Sequence, residues 1–308
     1  MQRRHKQGGI SLTYEPGYLS LDDLEGRVSG LNKNLKECTL CPRMCKVNRL
    51  EGELGYCKSG VDVIIKSAHP HFGEEKPLVG AFGSGTIFFT GCNLRCVYCQ
   101  NYEISHLGDG SPISVEELAS EMLSLQKRRC HNINLVTPTH FVAQIVKAIQ
   151  IAAEGGLRIP IVYNCGGYES VETLRLLDGI IDIYMPDFKY GGSDGALRFS
   201  DAPDYFSRCK MAVREMYEQV GDLKTEGGVA YKGLLIRHLV LPSRVASSSN
   251  IMEFIASLSK DSYVNIMTQY TPKYKASNYK ELKRWVNGAE YNEVIRSARK
   301  FGLHRGFQ

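Results

Sequence analysis

The run Phe88-Phe89-Thr90-Gly91-Cys92-Asn93-Leu94-Arg95-Cys96-Val97-Tyr98-Cys99-Gln100-Asn101 sets three cysteines at a C-x3-C-x2-C spacing, directly after a short apolar stretch. The thiolate is the metal-ligating form of cysteine, and three in one tight loop point to metal or cluster chemistry. A [4Fe-4S] cluster takes four thiolates, so three leave one iron with a position that a cofactor or substrate can fill. Zinc could take three thiolates and a water, but a loop at a strand's C-terminal end suits a cuboidal cluster better. Cys92, Cys96 and Cys99 are therefore read as cluster ligands.

A second group, Cys38-x2-Cys41-x3-Cys45-x11-Cys57, satisfies either a closed zinc site or a second [4Fe-4S] cluster. The two groups hold seven of the ten cysteines. Cys130, Cys165 and Cys209 read as small buried hydrophobes, with a radical relay as the alternative for Cys165. The 308 residues are 43% hydrophobic and 23% charged, which excludes a disordered, collagenous or coiled-coil chain. Net charge is +5, from 38 basic and 33 acidic residues without a long basic block, so nucleic acid is not an expected partner. No apolar run reaches the ~18 residues that span a bilayer, and the opening Met-Gln-Arg-Arg lacks the apolar stretch of a signal peptide. No membrane contact and a cytoplasmic location are expected, where thiols stay reduced and free to ligate.

The cysteines need elements to position them. Ser20 can cap a helix whose face is Leu21, Leu24, Val28, Leu31 and Leu35, delivering the chain to Cys38. From residue 86, six apolar or β-branched runs alternate with helix-like segments: Thr86 to Thr90, Asn132 to Val136, Ile159 to Tyr163, Ile181 to Met185, Leu234 to Leu241 and Tyr263 to Met267. The expected helices between and after them cover 114–125 with a Ser114/Glu117 capping box, then 141–153, 171–177, 203–220, 251–258, 279–286 and 292–301. This rhythm fits parallel strands with outer helices, either as an open partial barrel or as a doubly wound sheet. The division is an N-terminal helix and cysteine-rich extension (1–79), a barrel (80–275) and C-terminal helices packed on it (276–308).

The C-x3-C-x2-C loop, with aromatic Tyr98 before its last cysteine, resembles the signature of the radical S-adenosylmethionine (radical SAM) superfamily. The resemblance implies a partial (β/α)6 TIM-like barrel whose [4Fe-4S] cluster binds S-adenosyl-L-methionine (SAM) through its open iron. Reductive cleavage of SAM then gives methionine and a 5′-deoxyadenosyl radical that abstracts hydrogen. The Cys38 to Cys57 block, Gly73-Glu74-Glu75 and the run Gly83 to Phe89 are similar to uncharacterised relatives of the pyruvate formate-lyase activating enzymes.

The resemblance also implies a SAM site at the strand ends. Asp187 and Lys189, in Met185-Pro186-Asp187-Phe188-Lys189, match an Asp-Leu-Lys segment lining the SAM pocket, and Arg237 in Ile236 to Pro242 faces the SAM carboxylate. His238 beside it reads as a core histidine. Where the family carries Gly-Gly-Glu this chain has Val136-Thr137-Pro138-Thr139-His140, so Thr137 and Thr139 offer hydroxyls in place of the missing carboxylate. Asn164 can reach a ribose or substrate polar group, Gln269 or Tyr270 stands where activases have a histidine, and Tyr98 completes the cofactor-binding set. His69, His71, Glu74 and Glu75 read as solvated loop residues, with a cap over the barrel mouth as the alternative. The implied partners are an electron donor such as flavodoxin or ferredoxin and a glycyl radical protein, although no ferredoxin-like insert follows the cysteine loop. Modification of a small molecule or peptide is the alternative within the class. Outside it stands a zinc-binding interaction module.

Overall fold

Strands that are apolar on both faces need cover on both, and right-handed crossovers through helices supply it. The computed structural model describes residues 14–307. In chain order the elements are α1 (Leu24–Lys36), β1 (Val63–His71), α2 (Lys76–Val79), β2 (Ser84–Phe89), α3 (Tyr102–Ser105), β3 (Ser111–Ile113), α4 (Val115–Lys127), β4 (Ile133–Val136), α5 (Val142–Glu154), β5 (Ile161–Cys165), α6 (Val171–Leu176), β6 (Ile183–Pro186), α7 (Ser193–Ser200), α8 (Tyr205–Val220), β7 (Lys224–Glu226), β8 (Val229–Leu239), α9 (Ser248–Leu258), β9 (Tyr263–Met267) and α10 (Gly288–Lys300).

The sheet order is β3-β1-β2-β4-β5-β6-β8-β7, with β9 also on β8. Its parallel part, β2-β4-β5-β6-β8-β9, is the six sequence-expected strands in chain order. A doubly wound sheet reverses its order at a switch point. This one keeps a single direction and does not close, which makes it a partial (β/α)6 barrel. The Ser114 capping box forms as read, with Glu117 N on Ser114 Oγ at 3.0 Å and Ser114 N on Glu117 Oε2 at 2.7 Å.

Three elements differ from the sequence reading. Ser20 does not cap α1: it closes the 3-10 turn Gly17–Leu19, and α1 starts at Leu24 without a side-chain cap. Residues 279–286 form turns rather than a helix; buried Leu282 anchors them while Tyr270 Oη donates to its carbonyl at 2.7 Å, taking an acceptor that a helix would use. β1 lies within the stretch assigned to the extension, antiparallel to both β2 and β3. Pro70 obscures it in the pattern. The residue is tolerated because β3 pairs only with Val63, Ile64 and Ile65, leaving Pro70 without an outer strand neighbour among the described residues whose ladder would need its N–H.

The return from β1 to β2 closes the N-terminal end of the barrel. There Leu78 of α2 packs with Val162, Ile183, Met185 and Leu235, a small apolar group separate from the main core. Asn132 Nδ2 fixes the plug by donating to Leu78 O at 2.9 Å. The polar side chains of the strands are thereby left to the C-terminal half of the lumen.

Candidate active site

The cysteine loop leaves β2 through Gly91, whose φ of +77° lies in the left-handed region. A Cβ there would stand 2.8 Å from the carbonyl oxygen of Cys57, so only glycine fits. The loop is then stitched to its surroundings by backbone bonds: Arg95 N to Ser200 O at 3.1 Å, Val97 N to Phe199 O at 2.9 Å and Lys275 N to Val97 O at 2.8 Å. Tyr98 is buried against Tyr190 and Tyr270, with centroids 6.5 and 5.9 Å away.

Donors meet each sulfur. Leu94 N lies 3.4 Å from Cys92 Sγ, Ser200 Oγ donates to Cys96 Sγ at 2.9 Å, and Cys99 Sγ lies 3.1 Å from Ser105 Oγ. Burial pushes the Cys92 thiol up to about 12, and raises Cys96 too against the opposing pull of Lys189. Binding to a metal centre as thiolate removes that penalty, and the N–H and O–H donors suit anionic sulfur, so the donor set fits a cluster.

Beside the loop, the expected SAM residues Asp187, Lys189, Arg237 and Asn164 form one network. Arg237 Nε donates to Asp187 Oδ1 at 2.8 Å and Nη2 to Asn164 Oδ1 at 2.7 Å, while Lys189 Nζ reaches Asp187 Oδ2 at 2.7 Å. Burial opposes the Asp187 carboxylate, but Arg237 and Lys189 outweigh it and hold the group below its ordinary value. Burial likewise opposes the Lys189 ammonium, and Asp187 and the Cys96 sulfur keep it protonated.

Glu74 and Glu75 are not solvated loop residues, nor a cap over the mouth. The β1–β2 return carries them into the lumen. Glu74, with its side chain 10% exposed, accepts from Asn134 Nδ2 at 2.8 Å, Asn164 Nδ2 at 3.3 Å and Arg237 Nη1 at 3.3 Å. Glu75 accepts from Asn265 Nδ2 at 2.8 Å, and burial raises its carboxyl. Asparagines at inward positions of apolar strands, Asn134 in Ile-Asn-Leu-Val and Asn265 in Tyr-Val-Asn-Ile-Met, are the sequence signal that could have found this polar layer. His69 and His71 stand on β1 opposite Thr86 and Ser84, both rings against Phe88.

The other expected residues lie outside the network's side-chain bonds. Thr139 is buried and gives its hydroxyl to Glu169 Oε1 at 2.8 Å. Glu169 is a buried acid that sequence reading missed, its carboxyl pushed up to about 8 by burial against hydrogen bonds from Thr139 and Tyr163. Thr137, at φ +59°, donates its N–H to Asn164 O at 2.8 Å. Gln269 is exposed at the rim, its carbonyl held by Gln100 Nε2 at 3.1 Å. His238 is a core histidine between Phe188 O and Ser248 Oγ, at 2.7 and 2.8 Å. Cys130, Cys165 and Cys209 are buried small residues.

Cys38, Cys41, Cys45 and Cys57 line one pocket behind the loop, and Tyr56 N donates to Cys45 Sγ at 3.3 Å. Among the described residues no three His, Cys, Asp or Glu side chains converge on a single metal ion.

Comparison with known proteins gives the family. Residues 86–225 match the family model of the Radical SAM superfamily, and the chain belongs to that superfamily. It is 30% identical over 296 residues to the uncharacterized protein MJ0674 of Methanocaldococcus jannaschii, covering 93% of this chain and 81% of that one. MJ0808, an uncharacterized protein of the same organism, is 27% identical over 182 residues, 53% of this chain and 52% of its own length. The solved structure titled native anSMEcpe with bound AdoMet is similar at 13% identity and a TM-score of 0.47, over 71% of this chain; the chain spans 61% of that chain's length. The protein is a radical SAM enzyme by family. Among the described residues no helix is long and apolar enough to cross a membrane.

Proposed function

We propose that Cys92, Cys96 and Cys99 hold a [4Fe-4S] cluster whose open iron takes SAM, and that the protein uses the resulting 5′-deoxyadenosyl radical to abstract hydrogen from a substrate. The observation carrying this reading is the network of Asp187, Lys189, Arg237 and Asn164, next to the cysteine loop at the C-terminal strand ends. Lys189 and Arg237 supply the cationic groups that a carboxylate requires, and Asp187 orients both. Glu74, in the same network, supplies the carboxylate that an amino group requires and that the Val136 to His140 segment lacks. The apolar plug around Leu78 keeps water from the N-terminal end of the lumen.

The electron comes from a flavodoxin or ferredoxin in this reading. The substrate carried over from the activase resemblance is a glycyl radical protein, with a small molecule or peptide as the alternative. The test is anaerobic incubation of the iron-loaded protein with SAM and dithionite, followed by chromatography for 5′-deoxyadenosine and methionine. Both should form, and Cys96→Ala should abolish them. Absence of both products from fully loaded protein that binds SAM, with each candidate substrate class supplied, overturns the reading.

A further inference from the structure

β1 adds a strand to the barrel wall that the SAM network does not use. Directly opposed residues of an antiparallel pair share a face, so Ser67 turns the same way as Phe88, His69 as Thr86 and His71 as Ser84. Thr86 also pairs with Asn134, whose side chain meets Glu74 in the lumen, and that makes the shared face the inner one. Alternation along the strand then sets Ser67, His69 and His71 in one row facing the lumen.

These three differ from the other polar residues of the lumen. Thr86, Asn134, Asn164, Arg237 and Asn265 are each hydrogen-bonded within the protein. Ser67, His69 and His71 are partly buried, yet among the described residues none of their side chains has a hydrogen-bond partner, and their polar atoms stay open to solvent. The rings are also held in place. His69 stacks on Phe88 with centroids 5.7 Å apart and planes at 19°, while His71 stands edge-on to both, at 86° to His69 and 85° to Phe88. Side chains already fixed lose little freedom when a ligand arrives.

A serine hydroxyl and two imidazole N–H groups donate to oxyanions, and an imidazole that gains a proton adds charge to the bond. The charged groups that act on His69 are His71 and Arg128, both basic. The nearby acids are engaged elsewhere, Glu74 with Asn134, Asn164 and Arg237, and Glu75 with Asn265. The row therefore suits a negative ligand. His69 and Asn134 flank Thr86 on either side, two strand spacings or about 10 Å apart. Asn134 joins the SAM network through Glu74, so a group held on β1 and a carbon beside SAM can belong to one small molecule. Binding a remote group in this way orients the reacting one.

We propose that Ser67, His69 and His71 form an anchoring subsite for an oxyanion, a carboxylate or phosphate that the substrate carries at the end remote from the abstracted hydrogen. Phe88 sets the two rings, and the three donors face the anion from one strand. The subsite rests on the reading of the barrel as a SAM-cleaving enzyme and narrows its substrate to an acidic compound.

The test titrates iron-loaded, SAM-bound full-length protein with inorganic phosphate, followed by phosphorus NMR, and with acetate, followed by proton NMR. Bound SAM occupies Lys189 and Arg237, so these do not compete for the probes. Wild type should bind at least one probe saturably, and the tighter of the two tells a phosphorylated substrate from a carboxylate one. His69→Phe/His71→Phe keeps aromatic rings against Phe88 without ring nitrogens; it should retain its iron and SAM affinity and bind the probe at least tenfold more weakly. Ser67→Ala, which leaves the stack untouched, should weaken the probe in the same direction and serves if the double variant does not fold. No saturable binding by wild type, or equal binding in the variants and hence an adventitious ion only, overturns the subsite. Loss of SAM affinity in the double variant also overturns it, because the histidines would then belong to the SAM site. Formation of 5′-deoxyadenosine is scored separately: its failure in protein that binds the probe overturns the reaction, and its success in protein that does not overturns only the subsite.

Discussion

Asp187 and Arg237 are joined twice: as backbone partners in an isolated parallel bridge beyond the β6–β8 ladder, and by a 2.8 Å bond from Arg237 Nε to Asp187 Oδ1. The carboxylate is thus held by the same strand pairing that brings the guanidinium to it, and neither side chain can turn away without losing a partner.

Removing one member of this pair should disable SAM binding before it disturbs the cysteine loop. The side chains are 16% and 22% exposed, so the effect belongs at the modest end for buried pairs. Arg237→Ala and Asp187→Asn should keep the iron of the loop and weaken SAM roughly 10- to 100-fold, about 1.4 kcal/mol per factor of ten. Equilibrium binding measures this, and wild-type affinity in both variants would remove the pair from the SAM site.

Glu169 should make the fold sensitive to alkali. Its folded value of about 8 lies above the ordinary carboxylate range, so the folded state keeps the proton longer than the unfolded chain. Its contribution is fully present below pH ~4.5 and is lost as pH rises through about 8. Glu169→Gln, which imitates the protonated acid, should flatten the fall in denaturation midpoint between about pH 5 and 8. An equally steep fall in the variant would mean that another group titrates.

Leu78→Ala should destabilise the barrel by about 2–5 kcal/mol, the usual range for a fully buried leucine. Urea unfolding followed by circular dichroism reads this directly. A cost below ~1 kcal/mol would show that α2 is not holding the lumen shut.

Gly91→Ala tests the seam between the two cysteine groups. The added methyl meets the Cys57 carbonyl at 2.8 Å in a backbone of positive φ, so both strain and collision oppose it. Reduced iron uptake and a midpoint lowered by more than ~1 kcal/mol are expected. Wild-type iron content with unchanged stability would place the two groups further apart than described.

The cysteine spacing and the six parallel strands were legible in the sequence because both are local patterns, one of offsets and one of period. Asp187 and Arg237 were expected from the resemblance of Met185 to Lys189 and Ile236 to Pro242 to segments of the activating enzymes, and the structure brings the two side chains together. Glu74 and Glu75 were not. They enter the lumen only because β1 runs antiparallel to β2, and Pro70 disguised that strand. Thr139 failed in the opposite way, since its hydroxyl is claimed by Glu169, thirty residues along the chain, a partner no offset rule identifies. The turn at 279–286 carries a helical period of apolar residues, and a tertiary bond from Tyr270 overrides it.

Pro70 has one more consequence, for the protein in a crowded solution. β1 covers the outer side of β2, and β3 covers only the first residues of β1, so among the described residues the rest of β1 forms a free margin of the sheet. Margins of this kind recruit strands from other molecules and seed aggregation. Here the margin offers a proline without an N–H and, at Lys66, a partly exposed charge held by Asp109 at 2.7 Å. The residue that disguised the strand also keeps it from being copied.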